Sequence, residues 1–289
     1  MTTMESETVS FTGFEGVNLV ADVRGDPDAA PVLFMHGGGQ TRHAWGRTAE
    51  NVAARGWRTV SLDLRGHGDS DWAPNGDYSF TSFCADTIAV ADALGRPPVL
   101  VGASLGGMAA MLAEGTSDRE VSRGVVLVDI APKTNPEGIE RIGKFMQSGL
   151  GGFDSLDDAA AAIAAYTPQR TRSVNPDGLK KVLREREGRW YWHWDPLVIS
   201  QGRNETIPER LQGLLDTALA NITVPTLLVW GLLSDVVTPE GVADVLEKVP
   251  DAEVVSIDGA AHMIAGDRND AFSEAVVEFL DRRIGVPGP

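Results

Sequence analysis

Short apolar runs alternate with helix-forming stretches along most of this chain, and that alternation leaves few folds open. Val32-Leu33-Phe34-Met35, Thr59–Leu64, Val99–Gly102 and Val125–Ile130 each read as a short strand. Val/Leu/Ile runs without polar alternation belong to a parallel sheet covered by helices on both faces. The expected helices lie between them, over Ala44–Ala54, Ser82–Leu94 and Leu105–Ala113. Right-handed crossovers then carry every strand's carboxyl end to one edge, where open α/β sheets bind ligands. Ahead of them, Ser10 to Val23 alternates weakly around Asn18 and reads as an antiparallel edge hairpin.

The alternation stops after Ala131-Pro132-Lys133. From there to Ile222 the pattern gives helices and loops without a convincing strand. Asp154-Ser155 caps an Ala-rich helix, and Pro208 opens another that runs from Glu209 to Ala220. The sheet resumes with strand Pro225–Trp230, helix Glu240–Val249, strand Glu253–Ile257 and helix Ala271–Arg283. The expected organisation is a mostly parallel α/β core of residues 1–132 and 223–289, with a helical cap of residues 133–222 inserted. Residues 284–289 read as a loose tail.

Gly102-Ala103-Ser104-Leu105-Gly106 sits where one strand turns sharply into a helix. Such a turn strains the central residue and exposes its side chain at the sheet edge. The flanking glycines allow strand and helix to meet closely. The hydroxyl of Ser104 then faces a substrate, and the Leu105 amide points to an oxyanion from a helix N-terminus. A nucleophilic serine also needs a base, an acid that orients the base, and a second oxyanion donor. Upstream, a buried strand runs into His36-Gly37-Gly38-Gly39, whose bare backbone can approach a carbonyl, and Gly38 is the expected second donor. Downstream, Gly231-Leu232-Leu233-Ser234-Asp235 and Gly259-Ala260-Ala261-His262 each follow a strand. His262 is the expected base, the one histidine beyond the last strand. Asp235 is the expected acid, with Asp129 at the end of an earlier strand as its competitor. Asp258, four residues from His262, reads as a backbone-capping carboxylate.

On these residues the chain resembles the α/β-hydrolase superfamily over nearly its whole length. Asp63-Leu64-Arg65-Gly66-His67-Gly68-Asp69-Ser70 looks like that superfamily's loop after the fourth strand. Gly231 to Pro239 looks like its acid-bearing segment, and the turn ending in His262 like its histidine loop. The chain is similar to the branch holding epoxide hydrolases, haloalkane dehalogenases, cofactor-free haloperoxidases and small esterases. Epoxide hydrolases and dehalogenases carry an aspartate where this chain has Ser104, so the resemblance favours the esterases and haloperoxidase-like members. It implies an acyl-enzyme, no cofactor, and a peracid side product where hydrogen peroxide replaces water.

Other groups read more plainly as structure. Arg65, His67 and Asp69 form a polar network bracing their turn, and His36 anchors the glycine turn. Cys84, the one cysteine, reads as a buried inert thiol and permits no intrachain disulfide. No His/Cys/Asp/Glu spacing suggests a metal, and the glycine turn lacks the Lys-Ser/Thr of a phosphate loop. Trp190-Tyr191-Trp192-His193-Trp194 divides evenly between two readings: glue for the cap, or a wall for the substrate, with Trp192, Trp194 and His193 as candidate contacts.

Composition bounds the partners. A net charge of −16 disfavours nucleic acid and anionic membrane surfaces. The N-terminus has neither the basic start nor the apolar core of a secretory signal, and no apolar run is long enough to span a bilayer, so the expected place is the cytoplasm. The expected partner is a small ester, neutral or aromatic and small to medium in size. Two rivals remain from the residues alone: a carbon–carbon bond hydrolase with the same triad, helped by lid cations such as Arg170, Arg172 or Arg184, and a non-enzymatic ligand receptor on this fold.

Overall fold

The strands, in chain order, are β1 (Glu7–Thr12), β2 (Asn18–Arg24), β3 (Pro31–Met35), β4 (Arg58–Leu62), β5 (Val99–Ala103), β6 (Gly124–Val128), β7 (Leu183–Arg186), β8 (Arg189–Trp192), β9 (Thr226–Gly231) and β10 (Glu253–Ile257). The computed structural model describes residues 5–167, 175–200, 209–264 and 269–285. Eight strands form one sheet in the order β1-β2-β4-β3-β5-β6-β9-β10. β1 and β2 form the expected antiparallel edge hairpin, with Glu7 opposite Val23 and Thr12 opposite Asn18, and within the sheet β2 alone runs against the rest. From β4 onward the pairings are parallel.

Strand periodicity splits the core into two layers. Leu33 and Met35 face a layer that includes Phe83 and Val90 of α2 (Phe80–Ala93), Met111 and Leu112 of α3 (Leu105–Thr116), and Val242 and Val245 of a helix at Pro239–Lys248. Val32 and Phe34 point the other way. They meet Ala49 and Val52 of α1 (Gly46–Ala53), and Phe272 and Val276 of a helix at Asn269–Phe279. Both layers are fully buried at their centres, and the candidate functional residues fall at the strands' carboxyl edge.

Between β6 and β9 lie α4 (Pro136–Ser148), α5 (Leu156–Tyr166), a 3-10 helix (Pro176–Lys181), the β7–β8 hairpin, α6 (Leu197–Ser200) and α7 (Glu209–Asn221). The hairpin departs from the strand-free reading of this segment. Its signal is the Glu187-Gly188 turn, where φ is 51° and 78°, as a tight two-residue hairpin turn demands. Charged residues at Arg184, Glu185 and Arg186 hid the strand character. This segment has its own apolar cluster around Ala159, Leu179, Leu183, Trp192, Trp194 and Ile199. By contrast, Leu215, Ala218 and Leu219 of α7 join the main core against α3. Contact there is so close that a β-carbon on Gly115 would stand 1.9 Å from the Ala218 carbonyl oxygen. Among the described residues, no helix is long and apolar enough to cross a membrane.

Candidate active site

Ser104 stands between β5 and α3 with φ 47° and ψ −110°, a conformation that side chains avoid and that costs of order 1–3 kcal/mol. Its neighbours impose it. A β-carbon on Gly102 would fall 2.3 Å from the Gly106 carbonyl oxygen, and one on Gly106 would fall 2.3 Å from that of Met35. Strand, turn and helix therefore meet backbone to backbone. The Ser104 amide donates to the Val128 carbonyl and the Gly106 amide to that of His36, tying the turn to both adjacent strands.

This bonding leaves selected amides unspent. In the glycine turn, the Gly37 amide donates to Gln40 Oε1 at 3.0 Å and the Gly39 amide to His67 Nε2 at 3.2 Å. Among the described residues, nothing accepts from the Gly38 amide or from that of Leu105 at the head of α3. Gly38 and Leu105 both line the same cavity as Ser104. Two free amides at a helix N-terminus and a glycine turn are suited to a developing oxyanion. Gly39, at φ 77°, needs glycine both for its backbone and for the Met146 methyl, 3.3 Å from where a β-carbon would lie.

His262 also lines the cavity, and its Nδ1 lies 2.8 Å from Asp129 Oδ2, not beside Asp235. The expectation for the acid is corrected by this geometry. Asp129 follows β6 with φ 47° and is fully buried. Its carboxylate accepts from the Gly231 amide at 3.1 Å, from the Ser234 hydroxyl at 2.5 Å and from His262. A carboxylate facing Nδ1 holds the proton on that nitrogen and leaves Nε2 to act as an acceptor. Asp235 instead meets Arg141 of α4 at 2.6 Å, and both side chains are partly exposed. Ser234, given no role by the sequence, reaches Asp129 from the loop where Asp235 was expected to meet His262. Its hydroxyl oxygen also accepts from the Val236 and Val237 amides, folding the loop away.

Three buried histidines brace this region, His36 and His67 at the glycine turn and His193 at the loop of residues 63–70. His36 bonds the Gly37 carbonyl through Nδ1 at 2.7 Å and accepts the Leu64 amide at Nε2. His67 bonds the Arg65 carbonyl through Nδ1. His193 accepts the Gly68 amide at Nδ1, 2.5 Å away. It is buried away from the cavity, which removes it from the candidate substrate contacts. Arg65 grips Asp86 with two nitrogens, and Arg42 joins Asp22, Asp63 and Asp69, the bracing role expected of this loop. Burial pushes His36 from 6.5 down to about 4, with the Gly37 bond offsetting part of the shift. Burial and nearby positive or titratable groups lower His193 as well. A histidine kept neutral in the fold takes up protons on unfolding, so its stabilisation is complete above 6.5 and is lost as pH falls toward 4. The melting temperature should therefore decline between pH 6.5 and 5, above the range where carboxylates protonate. A flat thermal-melt series across that interval would contradict neutral burial.

The cavity over Ser104 has a volume of about 1260 Å³. Its walls are mostly apolar, with Met108 and Ile130 from the core and Ile142, Met146, Tyr166, Trp192 and Trp194 from the inserted segment. Tyr166 stacks on Phe145 at 4.2 Å, and Trp192 stacks on Trp194 at 6.4 Å. Both tryptophans thus pack and line at once, which joins the two readings left open by the sequence. Arg184 binds Asp69 at 2.5 Å and does not line the cavity; Arg170 and Arg172 lie outside the described residues. Cys84 is buried, with its thiol pushed up by burial.

The candidate site lies at the carboxyl edge of a mostly parallel sheet, and similarity to known proteins gives the family. The chain belongs to the alpha/beta hydrolase family, whose model matches residues 32–275. It is similar to the 3-hydroxybutyrate-oligomer hydrolase of Cupriavidus necator, with 28% identity over 82% of this chain and 84% of that one. An esterase of Mycobacterium tuberculosis is 27% identical over 91% of this chain and 87% of its own. In three dimensions the chain is similar to E-2-(acetamidomethylene)succinate hydrolase, with a TM-score of 0.83, 22% identity, and coverage of 96% of this chain and all (100%) of the other.

Proposed function

We propose that this protein is a serine-dependent carboxylic-ester hydrolase that works through an acyl-enzyme. The observation that carries the reading is the shared cavity. Ser104 and His262 both face it, His262 leans on a buried, triply bonded Asp129, and two unspent amides flank the serine. Ser104 Oγ attacks the ester carbonyl while His262 Nε2 takes its proton. The carbonyl oxygen, now an oxyanion, is held by the Gly38 and Leu105 amides. The alcohol leaves with the proton from His262. Water, activated by the same imidazole, then releases the acid and frees the serine. Hydrogen peroxide in place of water gives a peracid by the same path. The hydrolase and esterase relatives support an ester substrate, and residues 133–222, as a cap, supply most of the apolar cover.

The test is turnover of a panel of p-nitrophenyl and aryl esters, with fluorophosphonate labelling alongside. Wild-type protein that neither labels nor turns over any ester would favour a ligand receptor. The two lining tryptophans should grade that panel. Trp192→Ala or Trp194→Ala is expected to lower kcat/KM for aromatic esters about tenfold more than for acetates of small alcohols, because a wall ring binds only substrates long enough to reach it. A lowered melting temperature with an unchanged ratio between the two ester classes would assign both rings to packing alone.

A further inference from the structure

The apolar cavity and a polar cleft adjoin, sharing part of their lining. Asp22 and Arg24 lie two residues apart on β2 and so project from one face of it. Arg47 and Glu50 share one face of α1. Between these faces is a cleft of about 470 Å³, closed by Lys181 from the 3-10 helix of the inserted segment. His43 and Lys181 line this cleft and the cavity over Ser104 alike, so the two spaces meet there.

The charges in this region are sorted unevenly for a chain with a net charge of −16. Among the described residues no carboxylate lines the cavity, whereas Lys181 and Arg210 do. In the cleft, Arg42 is spent on Asp22, Asp63 and Asp69, and Arg47 on Asp270. Arg24 and Lys181 have no ion-pair partner among the described residues, and Arg24 Nε is buried without an acceptor. Glu50 is the opposing charge left over. A guanidinium and an ammonium without carboxylate partners, lining one cleft, favour an oxygen anion between them.

We propose that this cleft takes the anionic head, a carboxylate or a phosphate, of an ester whose apolar body fills the cavity. The proposal rests on the ester-hydrolase reading and extends it to a substrate class. It replaces the expectation of a neutral substrate, which came from overall composition; composition cannot show that Arg24, His43 and Lys181 converge. Arg24 and Lys181 then select the head, while Ser104 meets the ester bond further in.

Binding can be read without turnover. In Ser104→Ala protein, decyl phosphate, decanoate and decanol are titrated against the fluorescence of the cavity tryptophans. At low salt, decyl phosphate or decanoate should bind at least tenfold more tightly than decanol, and whichever leads identifies the head. Added salt should narrow the gap, and Lys181→Ala and Arg24→Ala should each narrow it several-fold. In active protein, aryl esters carrying a terminal carboxylate or phosphate should exceed their neutral counterparts in kcat/KM by a similar ratio. Equal binding of the three amphiphiles, or a gap unmoved by both substitutions, overturns the proposal. A chain that binds the anions selectively yet cleaves no ester keeps the cleft and discards the hydrolase reading.

Discussion

Ser104→Ala is expected to lower kcat/KM for any ester by about 10⁵–10⁶-fold while leaving the fold intact. In the proposed mechanism the hydroxyl forms the acyl-enzyme, and without it only the proposed oxyanion donors and the cavity remain to assist water. Structural damage should be small. The Ser104 backbone is held by Val128 and by the close approach of Gly102 to Gly106, none of which involves the side chain. Alanine inherits the same left-handed φ and gains no new clash, so the melting temperature should stay within a few degrees. Fluorophosphonate labelling should vanish with activity. Labelling that persists at another serine in this variant would move the nucleophile elsewhere and undo the proposed mechanism.

The middle of the sheet was legible because β3, β5, β6 and β9 are buried on both faces, so each apolar run announces itself without a neighbour's help. The strained turn at Ser104 was legible for a related reason: Gly102, Ser104 and Gly106 solve a local steric problem, and local problems leave local traces. The β7–β8 hairpin was not, since half of its residues are charged and point to solvent. The carboxylate that meets His262 was harder still. Asp129 and Asp235 both follow strands, and both strands end at the same edge. What decides between them is the Ser234 hydroxyl reaching back to Asp129 and Arg141 drawing Asp235 outward. Those contacts join residues more than ninety positions apart, and no spacing within either loop encodes them. The polar cleft was hidden in the same way, since Arg24, His43 and Lys181 come from a strand, a 3-10 turn and the inserted segment.

Asp129→Asn should cost on the order of 10⁴-fold in kcat, and Asp235→Asn less than about threefold. Asp129 Oδ1 accepts the Gly231 amide, and Oδ2 accepts both Ser234 and His262. An asparagine must keep its oxygen toward Gly231, because a backbone amide cannot turn to accept. Its NH₂ then faces the Ser234 hydroxyl and His262 Nδ1. The hydroxyl can rotate and accept that donor. The imidazole can do so only by moving its proton to Nε2, the nitrogen that must be bare to take the Ser104 proton. The substitution thus changes one atom and stabilises the wrong tautomer of the base, with the ring still in place. Asp235 faces a different partner, an arginine on α4 that is about half exposed, at 52%. Losing that pair in high dielectric is worth between zero and about 1 kcal/mol of packing between α4 and the core. Both variants are to be compared at matched melting temperature and with fluorophosphonate labelling rates measured alongside turnover. The reverse ranking would return the acid to the loop after β9 and make the Asp129–His262 bond a structural contact.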